Sequence, residues 1–541
     1  MKTIYKKIAA IALAVPMMLT SCIEETFPTS GVTAGQVAQN SQGLDAIVKG
    51  MPAYMKNYHT WSTNAFDFGY PSVLLELGVQ TQDMFENPTG YDWFSYWGGS
   101  MGDFLYMGSE YIMSQVNWYY FNFMIRSAND VIEAIGTPSG DDRAAALAQA
   151  YIYRASTYLD MARIYEFLPN GQVSGVNNDG NDVTGLTVPI ITPGMTSEQT
   201  NNNPRRPHDE MVEFLLGDLQ TAIDLYGQTS VVPTEKIYPS VAVAYGLMAR
   251  VYMWDENYPK AAEAAKLAYQ ASGATPLTKA EWTNVNTGFN DSSVSAWMWS
   301  IQYEGNDDAV QGGTNWSAFI APETNIGYAG KYGAYFCIDK SFYDQISNSD
   351  FRKLSFKAPS GHPLAGKEPA LNAEKFKELE DYTAVKFRPG QGNMADKNVA
   401  HATAVPMMRV EEMYLIEAEA LAHSNPAEGK AALEDFMKTY RYSNYACPVS
   451  DKEGVIEEII LQKRIEFWGE AGITFFDFKR LNMGVTRAYE GTNWPSDQRY
   501  NVEGRPAWMN WPFVSYEGEF NAGVEGYLNP NIGGVFTPVI D

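Results

Sequence analysis

The sequence predicts a mainly α-helical protein: a tetratricopeptide-like helical-repeat scaffold carrying long irregular loop insertions and a few short strands. Three observations carry this. Residues 240–272 read as a helical hairpin, with Tyr245, Met248, Ala249 and Tyr252 on the first helix and Tyr258, Ala261, Ala265 and Ala268 on the second. Aromatic and small residues alternate there as a repeat of about 34 residues requires, the small ones letting two helices approach closely. Residues 143–167 are rich in Ala, with Leu147, Tyr151, Arg154, Tyr158 and Ala162 near helical spacing. Between 273 and 407 that period is mostly lost, and Gly, Asn, Pro, Trp and Tyr dominate.

The elements follow in chain order. The 143–167 helix stops at Leu168-Pro169-Asn170-Gly171, and an Asn/Gly/Pro-rich loop covers 170–208. Asp209 to Tyr226 is amphipathic through Phe214, Leu215, Leu219, Ala222 and Leu225. After the 240–272 hairpin, Trp297 to Tyr303 alternates like a strand. A second hairpin is expected at 408–441, where Asn425-Pro426 breaks two apolar stripes, and a further helix at 453–468. Residues 484–541 are Gly/Pro/Trp-rich and read as loop. The scaffold therefore spans about 107–272 and 408–483 of one domain, 44–541, with loops at about 83–100 and 273–407. Long loops inside a compact domain are usually functional.

The start of the chain sets the compartment. Lys2, Lys6 and Lys7 precede an apolar stretch, Ile8 to Leu19, too short to span a bilayer and suited to a secretory signal. It ends Leu19-Thr20-Ser21-Cys22, the pattern of a bacterial lipoprotein in which Cys22 becomes the lipidated N-terminus. Residues 1–21 are then a removed signal peptide and 22–43, rich in Thr, Ser, Gly and Gln, a tether. Removing three Lys and no acids takes the net charge from −25 to −28. So acidic a surface repels phosphate backbones, which argues against nucleic acid as a partner. Cys337 and Cys447 are equally suited to pairing and to burial as free thiols.

Several motifs point away from chemistry. Gly390-Gln-Gly392-Asn-Met-Ala395 spells a dinucleotide fingerprint without its βαβ context and reads as a turn. Asn177 to Asp182 resembles a calcium loop faintly, but Val188 falls where the Glu ligand is needed. The five His show no metal spacing, so no cofactor is expected; a structural Ca²⁺ is left open and unplaced. Carboxylates at Glu411, Glu412, Glu417 and Glu419, and at Glu466, Glu470 and Asp477, could in number serve glycoside hydrolysis. They lie on helices beside Arg409, Arg464 and Arg480, where ion pairing between repeats is the better account.

At 408–422 the run Met-Arg-Val-Glu-Glu-Met-Tyr-Leu-Ile-Glu-Ala-Glu-Ala-Leu-Ala resembles a signature helix of the SusD/RagB family. The run 462–480 resembles its next signature through Arg464, Glu466, Glu470, Asp477 and Arg480; Gln462-Lys463 and Thr474 depart from it. Trp511-Pro512, with Glu519 and Asn521, resembles its C-terminal segment. The resemblance implies a SusD-like fold and a non-catalytic lipoprotein, exposed on the outer membrane surface, where Glu24 and Glu25 resemble an export signal. It further implies oligosaccharide capture and a SusC-type TonB-dependent transporter as partner. The alternatives are a peptide-binding member of the same family, RagB-like, and a protein–protein scaffold.

A glycan site needs flat apolar faces and a few aimed polar groups. Two loops offer them. Asp83 to Gly99 holds Tyr91, Trp93, Phe94, Tyr96 and Trp97; Tyr303 to Tyr332 holds Asn315-Trp316, and later Tyr328 and Tyr332. The expected ligand-binding residues are Tyr91, Trp93, Tyr96, Trp97, Asn315 and Trp316. At least one of Trp297 and Trp299 is assigned to the core, as are Trp254 and Trp468, with core favoured for Trp494, Trp508 and Trp511.

Overall fold

The structure, a computed structural model, describes residues 41–100 and 102–539. The expected signal peptide and Cys22 lie outside the described residues. The last three residues of the expected tether, 41–43, instead begin the first helix. Among the described residues, helices of eight residues or more are α1 (Ser41–Tyr54), α2 (Tyr70–Val79), α3 (Ile112–Ile135), α4 (Asp141–Tyr165), α5 (His208–Tyr226), α6 (Val241–Trp254), α7 (Tyr258–Ser272), α8 (Val410–Ser424), α9 (Pro426–Tyr440), α10 (Lys452–Glu466) and α11 (Ile473–Arg480). No helix among them is long and apolar enough to cross a membrane.

Each helix from α3 to α9 packs on the next, so the seven form one array. α10 then lies against both α8 and α9, and α11 returns to α2. Sequence chemistry explains the ends. α4 carries Asp141 and Asp142 in its first turn and Arg163 in its last, complementing the helix dipole. Asn425 accepts from the Ala427 N–H and Pro426 occupies the first turn of α9. Asp451 caps α10 through the Gly454 N–H at 3.0 Å.

Small residues set the spacing. Ala261, Ala265 and Ala268 of α7 are fully buried, as the hairpin pattern requires. At Gly429 of α9 a Cβ would lie 2.4 Å from Ala422 Cβ and 2.6 Å from its backbone nitrogen. Gly429→Ala is therefore expected to cost about 1–3 kcal/mol net, overpacking outweighing the gain in helix propensity. Urea unfolding checks it; unchanged or higher stability would contradict the close approach.

The array is continuous in space but not in sequence. α7 packs directly on α8, with Tyr269 stacked on Tyr414 at 4.6 Å, although residues 273–409 separate them. The insertion leaves and returns through one antiparallel ladder, β2 (Trp297–Gln302) with β4 (Ala404–Arg409), in register Trp297↔Arg409 to Gln302↔Ala404. A second pair, β1 (Met84–Glu86) with β3 (Phe336–Ile338), joins the N-terminal segment to the insertion. The third, β5 (Val485–Thr486) with β6 (Asn501–Val502), lies in the C-terminal segment.

A buried ion network pins the insertion to the array. Arg409 reaches Glu411 (2.8 Å), Glu466 (3.1 Å) and Glu470 (2.7 Å). Arg441 reaches Glu466 at 2.6 Å, and Arg352 reaches Asp350 at 2.6 Å and Glu466 at 3.0 Å. Lys386 completes it on Glu470. Asp350, Arg352 and Lys386 belong to the insertion, the rest to the scaffold. Four cations face four carboxylates, all nearly solvent-free, so the charges cancel where water cannot screen them. Burial alone would raise the Glu466 carboxyl, but Arg441 and Arg409 hold it well below the ordinary range. Burial pushes Lys386 down to about 8 against the pull of Glu470. The family-signature ions are thus structural, as their helical setting suggested. Arg464 pairs with Asp83, and Arg480 with Glu419 and Asp477.

The irregular C-terminal segment is fastened by Trp and Arg. Trp508 and Trp511 donate to Gln80, and Trp494 donates to Asp339. Arg487 donates to the carbonyls of Val79, Thr81 and Gly98, with no carboxylate paired to it among the described residues, and burial pushes it down to about 9. Trp254, Trp468, Trp494, Trp508 and Trp511 are all buried, and so are both Trp297 and Trp299. Cys337 and Cys447 are free and buried.

Candidate functional site

The two aromatic loops meet. Pairing of Glu86 with Phe336 sets the 87–99 loop beside the short helix Gly327–Tyr332. Asn87 extends the contact, donating its backbone N–H to Tyr335 O (2.8 Å) and its amide to Gly333 O (2.9 Å). Asp92 then folds a tight turn by accepting from Thr89 N and Gly90 N at 2.9 and 2.6 Å. Tyr91 sits at the tip, 48% exposed. Its ring stacks on Tyr332 at 4.3 Å and 16°, and meets the edge of Tyr328 at 6.4 Å. Tyr328 stacks in turn on buried Phe319 at 4.4 Å. Tyr332, four residues on and one helical turn away, remains 38% exposed.

Tyr328 and Tyr332 border a cleft of about 560 Å³ whose other wall is Gln311, Asp396, Lys397, Asn398 and His401, and Tyr91 adjoins it through its stack on Tyr332. That wall is itself stitched together. Gln311 donates to Asn398 Oδ1 at 2.6 Å, and Lys397 donates to Gln311 O at 2.6 Å. Gly327 has a φ of +70°, and a Cβ there would lie 2.8 Å from Ala318 O and 3.1 Å from His401 Nε2. Only glycine lets the Tyr-bearing helix start so close to the histidine. A larger groove of about 700 Å³ beside α1 has Tyr238 as its single aromatic wall residue. The cavity between Arg250, Glu412, Lys463 and Asp477 is about 40 Å³, too small for a sugar ring.

The expected binding residues divide. Tyr91 is open. Trp93 and Tyr96 are half-buried, Trp93 packing edge-on to Phe66 and Tyr96 edge-on to Tyr106. Trp97, Asn315 and Trp316 are corrections. Trp97 is 1% exposed, packed on Phe66 and Phe94. Residues Trp93–Tyr96 form a 3₁₀ turn, and a period of about three puts Phe94 and Trp97 on the inner face, Trp93 and Tyr96 on the outer. Glu86 holds that turn by accepting from Phe94 N at 2.7 Å. Trp316 is 1% exposed, edge-on to Phe387, and Asn315 is fully buried as the helix cap, bonding Ala318 N and His401 O. Tyr332, Lys331, Lys397 and His401 were not among the expected residues. The spacing of four between Tyr328 and Tyr332 was the available signal.

The other motifs resolve structurally. Gly390–Gly392 is a single turn with Gln391 at φ +53°. Asn177 closes its own turn and donates to Gly526 O and Leu528 O. Among the described residues no group of His, Cys, Asp and Glu is arranged to hold a metal ion, so the Ca²⁺ left open has no assigned place.

The fold and site define a class: a helical array in which Glu411, Glu412, Glu419, Glu466, Glu470 and Asp477 sit in buried ion pairs, presenting an aromatic cleft on an insertion. The chain belongs to the SusD family, and the expected resemblance holds. The model described as SusD family matches residues 298–522, and one described as "Starch-binding associating with outer membrane" matches 80–253. SusD-like protein P2 of Formosa agariphila is 22% identical over 70% of this chain and 74% of its own length. A SusD-like carbohydrate binding protein from Bacteroides vulgatus superposes with a TM-score of 0.69 at 20% identity, covering 93% of this chain and 99% of that one. Surface glycan-binding protein A from Bacteroides thetaiotaomicron, in complex with laminarihexaose, superposes at 0.61 and 16% identity over 91% and 99%. The family comprises binding proteins, and this chain is not an enzyme.

Proposed function

We propose that the protein captures oligosaccharides at the cell surface and hands them to a SusC-type TonB-dependent transporter of the outer membrane. The observation that carries the binding part is a cleft walled by Tyr328 and Tyr332, with the exposed Tyr91 stacked on Tyr332 beside it. A pyranose presents a C–H face that packs on a tyrosine ring, and its hydroxyls suit the amides of Gln311 and Asn398. The tethering expected from Cys22 would hold this cleft near a partner in the same membrane, raising its effective concentration there.

Isothermal titration against a panel of oligosaccharides tests the reading. Tyr91→Ala and Tyr332→Ala are each expected to weaken binding by about 1–3 kcal/mol, the scale of an aromatic anchor. Unchanged affinity in both would remove the site. Failure of every glycan, with saturable binding on a peptide array, would replace the reading with the RagB-like one.

A further inference from the structure

The chain carries a net charge of −25, yet the cleft runs against that charge. Two ammonium groups, Lys331 and Lys397, line it, against one carboxylate, Asp396. That carboxylate is engaged, its Oδ1 accepting from Asn398 N at 3.0 Å to cap a short helix. The nearby Asp307 is engaged by Lys56 at 2.5 Å. Lys331 has no carboxylate partner among the described residues, and its Nζ stands 5.0 Å from the centre of the Tyr332 ring. Lys397 donates to one carbonyl and keeps two donors.

His401 adds a second kind of vacancy. It lines the same cleft, is 1% exposed, and neither ring nitrogen has a partner among the described residues. Burial, helped by Lys397, pushes it down to about 4, so at neutral pH it is an uncharged imidazole with one donor and one acceptor to offer. Distant acids do not cancel this local field, because charges beyond a Debye length of about 8 Å are screened at physiological salt.

From this arrangement we propose, resting on the oligosaccharide reading above, that the cleft selects anionic sugars: a ring stacks at the Tyr91–Tyr332 pair while its carboxylate or sulfate ester reaches Lys331 and Lys397. A neutral glycan would leave both ammonium groups without a counter-charge. An anionic one supplies charge-assisted hydrogen bonds, the stronger kind.

The test uses matched probes on the whole protein: hexagalacturonate against its methyl ester, a sulfated carrageenan hexasaccharide against its desulfated form, and laminarihexaose as neutral reference. One charged member is expected to bind at least roughly tenfold tighter than its neutral partner, with affinity falling about tenfold from about 20 to about 300 mM NaCl. Which pair shows it separates carboxylate from sulfate. Lys331→Gln with Lys397→Gln should abolish the preference, thermal melting confirming the fold. Equal or tighter binding of neutral members, or a preference that survives the double variant, overturns the proposal. If neutral sugars bind and depend on Tyr91 but not on the lysines, the general function stands and the charge selection falls. If no sugar binds, both fall.

Discussion

Glu466→Gln is expected to lose about 3–5 kcal/mol of folding stability, the scale for breaking a buried ion cluster from one side. One carboxylate serves three guanidinium groups, those of Arg352, Arg409 and Arg441. The cluster is closed by Trp282 and Phe289, over which Arg409 lies at 5.7 and 5.2 Å. Neutralising Glu466 leaves four cations against three anions with no water to compensate. An exposed pair gives the contrast: Glu374→Gln, which frees Lys377 at the surface, should cost under about 1 kcal/mol. The pH dependence has a definite sign. The folded carboxyl titrates below the ordinary glutamate value of about 4.3, so its stabilisation is present above that pH and lost as pH falls through the folded value. The variant should lose that part of the acid limb. Urea unfolding at pH 7 and in the acid range measures both, and a loss at pH 7 below about 1 kcal/mol would contradict the network's role.

The second large effect runs the other way. Glu76 is fully buried on α2 with no cation partner among the described residues; its carboxylate contacts are Asn117 at 2.6 Å and Ser72 at 3.1 Å. Burial raises its pKa to about 8, the two hydrogen bonds opposing only in part. A carboxyl raised in the folded state stabilises least at high pH: below about 4.3 both states are protonated, and above it the unfolded chain ionises while the folded one resists. Glu76→Gln removes that penalty. An amide can accept from Asn117 and donate to the Ser72 oxygen. The variant is therefore expected to gain about 3 kcal/mol at pH 7 and almost nothing near pH 4. A variant less stable than the parent at pH 7 would show that the carboxylate is needed there.

Helices were legible because their signals are local. The hairpin at 240–272 and the helix starting near 141 follow from Ala and Tyr spacing over a few turns. The ladder β2–β4 was half-legible: Trp297–Gln302 alternates, but Ala404–Arg409 runs straight into α8 and has no alternation of its own. The site was legible as a pair of loops and illegible as residues. Five rings in seven positions announce an aromatic loop, yet which ring faces water depends on a 3₁₀ turn held by Glu86, a contact no window of sequence displays. Trp316 looked like a loop ring and is a core ring, because the loop around it folds into a five-residue helix, Trp316–Ile320, that is buried throughout. The abundance of aromatic residues belongs mostly to this task. Irregular segments bury little through periodic faces, so large rings with one polar handle, such as Trp494, Trp508 and Trp511, dock them instead.

The narrow neck formed by β2 and β4 makes the cleft-bearing insertion of this protein an exchangeable cassette. Its two ends are already held side by side, so its length can change at slight entropic cost, about 0.6 kcal/mol for each doubling of a flexible loop. What must travel with it is limited: Asp350, Arg352 and Lys386, whose partners Glu466 and Glu470 stay behind on the scaffold, and β3 with Asp339, which β1 and Trp494 hold from outside. A chimera that keeps those contacts, and replaces the rest between the strands with the corresponding stretch of a relative, should fold on this array and shift toward the relative's ligand preference.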